Sequence, residues 1–190
     1  ICQFLSSDIN KRSDEFGGSL ENRARLLMRI VDGVREQCRP DLQLAVRLSP
    51  ERFGMLVDEI REVFAWLVAS NKVDLIDMSL WDVFKEAHEP EHAGKQLLEL
   101  FTSIPRGNVK LAVAGKIATP QDAQKVIDLG ADIATLGRGA ILHHDYPNKT
   151  KADPHFTPRT LPVAAEVLRS EGLSEPFVNY MKVWTGFVSE

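Results

Sequence analysis

The sequence predicts an α/β fold on a parallel sheet, and three observations carry that prediction. Short apolar runs bounded by turn residues recur at 42–48, 73–80, 109–114 and 132–136; stretches of helical periodicity lie between them; and the two kinds alternate along the chain. Helix then strand in repeated alternation is the pattern of parallel strands joined by right-handed crossovers. Strands this short and apolar are expected to be covered on both faces. Four strands alone leave open edges, so the pattern allows either a doubly wound sheet or one half of a closed eight-stranded barrel.

The stretch up to Ser19 is polar and glycine-bearing and reads as an irregular loop. Ser19 is the expected cap of a helix over 20–38, whose apolar positions Leu26, Leu27, Ile30, Val31 and Val34 recur at helical spacing. The run 42–48, closed by Pro50, is too short for a buried helix and reads as a strand. Leu56, Ile60, Val63, Phe64, Leu67 and Val68 mark the next helix, and 73–80 the second strand. After a polar insertion come a helix over 93–103, a strand over 109–114, and a helix opened by Thr119 as cap with Pro120 in its first turn. A fourth strand covers 132–136, helical turns follow over 137–142, and two short helices are expected over 164–170 and 177–182.

Composition narrows the function. The chain has 190 residues, 23 basic against 27 acidic, for a net charge of −4. That balance offers no electrostatic footprint for nucleic acid or an anionic membrane, so a small-molecule substrate is the expectation. Cys2 and Cys38 match no zinc or disulfide spacing, which fits a reducing cytoplasm. No apolar run approaches a membrane span and no signal segment is visible. The first residue, Ile1, falls within an apolar segment, so the chain is expected to be a fragment, residues 1–190 forming part of a single domain.

In both candidate architectures chemistry gathers at the C-terminal ends of the strands. Arg47 closes the first apolar run, where a guanidinium facing the sheet interior needs an anionic partner; the competing reading is a structural ion pair. Trp81 follows the second. Ala114-Gly115-Lys116 and Gly137-Arg138 close the third and fourth, and together read as a phosphate cradle: glycine lets the backbone approach an anion, and arginine pairs with it. The competing reading makes both glycines mere turn residues. His88-Glu89-Pro90-Glu91-His92 spells a zinc-hydrolase pattern, but Pro90 disfavours the helix it needs, so a solvated charged loop is expected and no metal is assigned. His143-His144 reads as a helix-end pair.

One long run is far more specific: Asn10-Lys11-Arg12-Ser13-Asp14-Glu15-Phe16-Gly17-Gly18-Ser19-Leu20-Glu21-Asn22-Arg23-Ala24-Arg25. With Gln3 to Ser7 before it, Val46 to Pro50 after it, and Gly115, Thr119-Pro120 and Gly137-Arg138 in order, it closely resembles the old yellow enzyme family. The resemblance implies a (β/α)8 TIM barrel, of which this chain is the C-terminal half, about strands 5 to 8 with the C-terminal helices. It implies FMN as cofactor, NAD(P)H as electron donor, and reduction of small electrophiles such as α,β-unsaturated carbonyl compounds. Carried over residue by residue, it sets Arg47 beside the flavin, Ala114, Gly115, Lys116, Gly137 and Arg138 at its phosphate, and Trp81 in a loop over the substrate. The family's substrate-binding pair and proton-donating tyrosine are expected upstream of Ile1, so no catalytic residue is assigned within the chain. A half barrel would expose strand edges and an apolar lumen, so poor solubility or a homo-oligomer is expected. The readings that compete with this are another phosphate-binding barrel, an isomerase or aldolase, and a non-catalytic fragment that keeps the cradle.

Overall fold

A computed structural model of the chain describes residues 1–189. The elements, in order, are α1 (Cys2–Leu5), α2 (Leu20–Gln37), β1 (Ala45–Leu48), α3 (Val57–Ala69), β2 (Leu75–Ser79), a 3-10 turn (Pro90–His92), α4 (Leu97–Thr102), β3 (Lys110–Ala114), α5 (Pro120–Asp128), β4 (Ile133–Thr135), α6 (Arg138–Leu142), α7 (Tyr146–Ala152), α8 (Ala165–Ser170) and α9 (Glu175–Lys182). The sheet runs β1-β2-β3-β4 in chain order, with β1, β2 and β3 pairing in parallel. A doubly wound sheet must reverse its order at a switch point, and this one does not, so of the two expected architectures the topology is that of a barrel wall.

Local signals placed most elements. The Ser19 hydroxyl accepts the Asn22 N–H at the head of α2, and the Thr119 hydroxyl accepts the Asp122 N–H at the head of α5, both as capping predicts. Three expectations change. Cys2–Leu5 is helical rather than loop, Tyr146–Ala152 forms a helix the periodicity did not show, and the helix expected from residue 93 begins only at Leu97. In the last case Ala93 and Gln96 have extended backbones, and Gly94 lies at φ 78.

The chain forms two compact units. The first holds Ile1–Gly115 with Val126–Ala134; the second holds Lys116–Lys125 with the residues from Thr135 on. In the first, Val46, Leu48, Ile76, Met78, Leu111 and Val113 face one side of the sheet and are buried. Phe64 and Phe101, ring centroids 6.1 Å apart, are fully buried in the same unit. The opposite face carries Ala45, Arg47, Asp77 and Ser79 and is partly open, so burial alternates along β1 and β2. This departs from the expected cover on both faces. In a barrel the inner face is filled by layers of side chains from alternate strands all round the ring, and four strands supply only part of each layer.

In the second unit, Leu142, Val163, Leu168, Val178, Met181 and Phe187 form the core. The Tyr146 hydroxyl donates to the Ala118 carbonyl at 2.9 Å, and its ring lies against Gly139, where a Cβ would stand 3.4 Å from the ring edge.

Candidate functional site

The long Asn10–Arg25 run does structural work. Asn10 donates to the carbonyls of Phe4 and Phe16, Asn22 to that of Gly17, and Arg23 to those of Gly18 and Leu5. Arg23, 4% exposed, also forks onto Glu59 of α3, tying three helices together. A buried guanidinium with its donors this well satisfied is an internal strut.

Arg47 sits on the open face near the end of β1. Its side chain is 59% exposed; its Nε lies 3.6 Å from Asp77, its partner in register on β2, and one terminal nitrogen donates to the Ser79 hydroxyl at 3.1 Å. Asp77 Oδ1 is shielded from solvent and has no hydrogen-bond partner among the described residues. The expected anionic partner is therefore Asp77, held loosely, and most of the five donors of the guanidinium remain available. What the sequence did not reveal was that β2 supplies both side chains that orient Arg47.

Trp81 follows β2 at φ 62, with 58% of its surface exposed. Gly115 explains how the backbone gets there. A Cβ on Gly115 would stand 2.8 Å from Trp81 C and Asp82 N, and Gly115 itself has φ 152. The Leu80 and Val83 N–H groups donate to the Ala114 and Gly115 carbonyls, so the end of β3 grips the Trp81 turn from both sides. A packing need thus accompanies the phosphate reading of Gly115, and it differs from the tight strand-to-helix turn the sequence suggested.

In the second unit, Lys116 follows at φ 52. Gly137 and Arg138 are both exposed, a Cβ on Gly137 would meet nothing, and no carboxylate pairs with Arg138 among the described residues. The two line a cavity of about 350 Å³ whose walls include Ile141, Tyr180, Met181 and Trp184.

The His88–His92 segment is docked, which corrects the expectation of a solvated loop. Glu89 accepts the Val57 N–H at 2.7 Å, capping α3, whose preceding residue Leu56 cannot. Buried His92 meets Asp58 at 3.0 Å, and Glu51 binds both Lys85 and the His88 N–H. These partners lie some thirty residues upstream, so local pattern gave no hint of them. His143 and His144 are structural. His143 accepts the Arg159 N–H at 2.9 Å, and burial, with the Arg159 charge, lowers its pKa below the ordinary imidazole value. His144 contacts Glu171 at 2.7 Å. Burial pushes the Glu171 carboxyl up, but Arg159 and the His144 N–H and ring outweigh it and hold the carboxyl at about 2. His144, Asp145 and Glu171 could approach one cation together, yet Arg159 and Lys149 already neutralise both carboxylates.

Among the described residues no helix is long and apolar enough to cross a membrane. The family model for NADH:flavin oxidoreductases / NADH oxidases matches residues 1–155. Bilirubin reductase of Mediterraneibacter gnavus is 32% identical over 166 residues, covering 80% of this chain and 26% of that protein. Cinnamate reductase of Clostridium sporogenes is 28% identical over 176 residues, covering 82% and 26%. Among solved structures, morphinone reductase superposes with a TM-score of 0.64 at 26% identity, covering 87% of this chain and 43% of that one. The chain thus spans between a quarter and a half of the length of these relatives.

Proposed function

Since the chain belongs to the NADH:flavin oxidoreductase / NADH oxidase family, we propose that it serves an FMN-dependent oxidoreductase that uses NAD(P)H to reduce small electrophiles such as α,β-unsaturated carbonyl compounds. Bound FMN would supply the ring that takes up hydride and passes it on. Arg47 carries this reading: an exposed cation on the open sheet face, oriented by Ser79 and Asp77, with donors to spare. Such a group balances negative charge on a planar ring better than water does, because its dipoles and charge are already in place.

The residues fit the cofactor in two further respects. The Asp77 Oδ1, unpartnered among the described residues, can accept an N–H from a bound ring. Arg138, with no carboxylate partner among the described residues, and Gly137, with open space at its Cβ, suit a phosphate. Ala114, Gly115 and Lys116 are assigned to the same cofactor, and Trp81 to the substrate side.

The test is flavin retention. The purified chain is mixed with FMN, filtered, and its visible spectrum compared with that of Arg138→Ala. Retained flavin is expected, with affinity lower by about tenfold or more in the variant, the usual effect of losing a charge-assisted hydrogen bond. Equal affinity would remove Arg138 from the site, and a colourless chain would sink the cofactor reading for this piece.

A further inference from the structure

The turn after β1 presents Arg52 and Phe53 with unusual firmness. Both have left-handed backbones, φ 69 and 54, which side chains rarely adopt unless the surroundings impose it. The imposition is visible. Met55 N–H closes the turn on the Arg52 carbonyl, and Ser7 grips the Gly54 carbonyl with its N–H and its hydroxyl. A Cβ on Gly54 would strike Asp8 and Ser6.

So held, Arg52 lays its guanidinium over the Trp81 ring, 4.5 Å from the centroid. Trp81 is itself left-handed and is pinned from below by Gly115. Arg52 is exposed, and among the described residues no carboxylate pairs with it, although its neighbour Glu51 pairs with Lys85. Phe53 beside it is 69% exposed. A guanidinium stacked on an indole keeps its in-plane N–H fork turned outward, the geometry that grips a planar oxyanion. The Trp81 ring lies under it, and the next residue, Phe53, is also a bare aromatic ring.

We infer that Arg52, Trp81 and Phe53 form a recognition subsite for the carboxylate of an unsaturated, aromatic or apolar substrate. The inference rests on the oxidoreductase reading above and sharpens it: the preferred oxidant is an enoate acid rather than a neutral enone or ester. Arg52 supplies the charge, and Trp81 fixes its plane and stacks on the ligand. Phe53 covers apolar carbon.

The experiment compares 3-(2-furyl)acrylate with its methyl ester by equilibrium dialysis against the chain, with NADPH and NADH as controls. The acid is expected to bind about tenfold tighter than the ester, the usual weight of a hydrogen bond to a charged group. Arg52→Gln should abolish that preference while leaving ester affinity in place, Arg52→Lys should keep part of it, and Trp81→Leu should weaken both ligands. Equal binding of acid and ester, or an acid preference that survives Arg52→Gln in a chain whose melting is unchanged, overturns the inference. So does a loss confined to NADPH, which would make the oxyanion a nucleotide phosphate. Flavin retention is scored separately. A chain that discriminates acid from ester without holding FMN keeps the subsite and loses the cofactor reading, and one that holds FMN without discriminating does the reverse.

Discussion

The two ends of the sheet in the first unit are built to different rules. At the end where strands begin, one device appears twice. Asp74, just before β2, accepts the Leu44 N–H and the Arg35 guanidinium, while Arg35 also donates to the Lys72 and Leu42 carbonyls. Asp132, just before β4, accepts the Leu111 N–H, Arg106 and Lys110, while Arg106 also donates to Gly130. Each aspartate thus ties its strand to the preceding one. At the end where strands finish, Arg47 is loosely paired, Arg52 has no carboxylate partner among the described residues, and Phe53 and Trp81 lie open. Full pairing favours stability, whereas unspent donors and exposed rings are what a ligand requires. In parallel barrels these two tasks separate to opposite faces.

If that division holds, removing the paired groups at the starting end should cost stability, and removing the open side chains at the finishing end should cost binding. The largest loss is expected for Asp132→Ala, which strands a backbone N–H and two cations; thermal melting should show about 2–3 kcal/mol of destabilisation. Acid should mimic it. The Leu44 N–H and Arg35 hold the Asp74 carboxyl below its ordinary value. Burial raises that of Asp132, but the Leu111 N–H, Lys110 and Arg106 outweigh it. Both therefore contribute stability in full above the ordinary carboxylate range, and that contribution is lost as pH falls through their depressed values. A pH series of melts should show a steeper acid limb in the parent chain than in Asp132→Ala.

Gly115→Ala tests the finishing end from within. Its Cβ would collide with the Trp81 backbone, so a loss of about 1–3 kcal/mol is expected, together with a change in tryptophan emission as the turn is displaced. A stable variant with unaltered emission would show that the grip on Trp81 is unimportant. Glu89→Ala removes the remote cap of α3 and should cost about 1 kcal/mol in a denaturant titration. The smallest stability effect, within about 0.5 kcal/mol, is expected for Arg52→Gln, because an exposed cation without a carboxylate supports little. A large loss there would break the division between the two ends.

The sequence determined the order and kind of nearly every element, because helix and strand periodicity, the Ser19 cap and Pro120 act within a few residues of themselves. It also determined the family, through the Asn10–Arg25 run, and that run proves to be a hydrogen-bonded knot that ties α1, α2 and α3 together. Arg47 was legible as a candidate because an arginine closing an apolar strand is costly without a partner. Only the tertiary structure decided which groups meet: that β2 supplies Asp77 and Ser79 to Arg47, that Glu89 caps a helix 32 residues upstream, that Gly115 makes room for Trp81, and that Arg52 lies over that ring. The physical reason is range. Backbone periodicity is a local property that neighbours in sequence enforce, whereas partner choice is set by strand register and loop packing between distant segments, which no window of sequence contains.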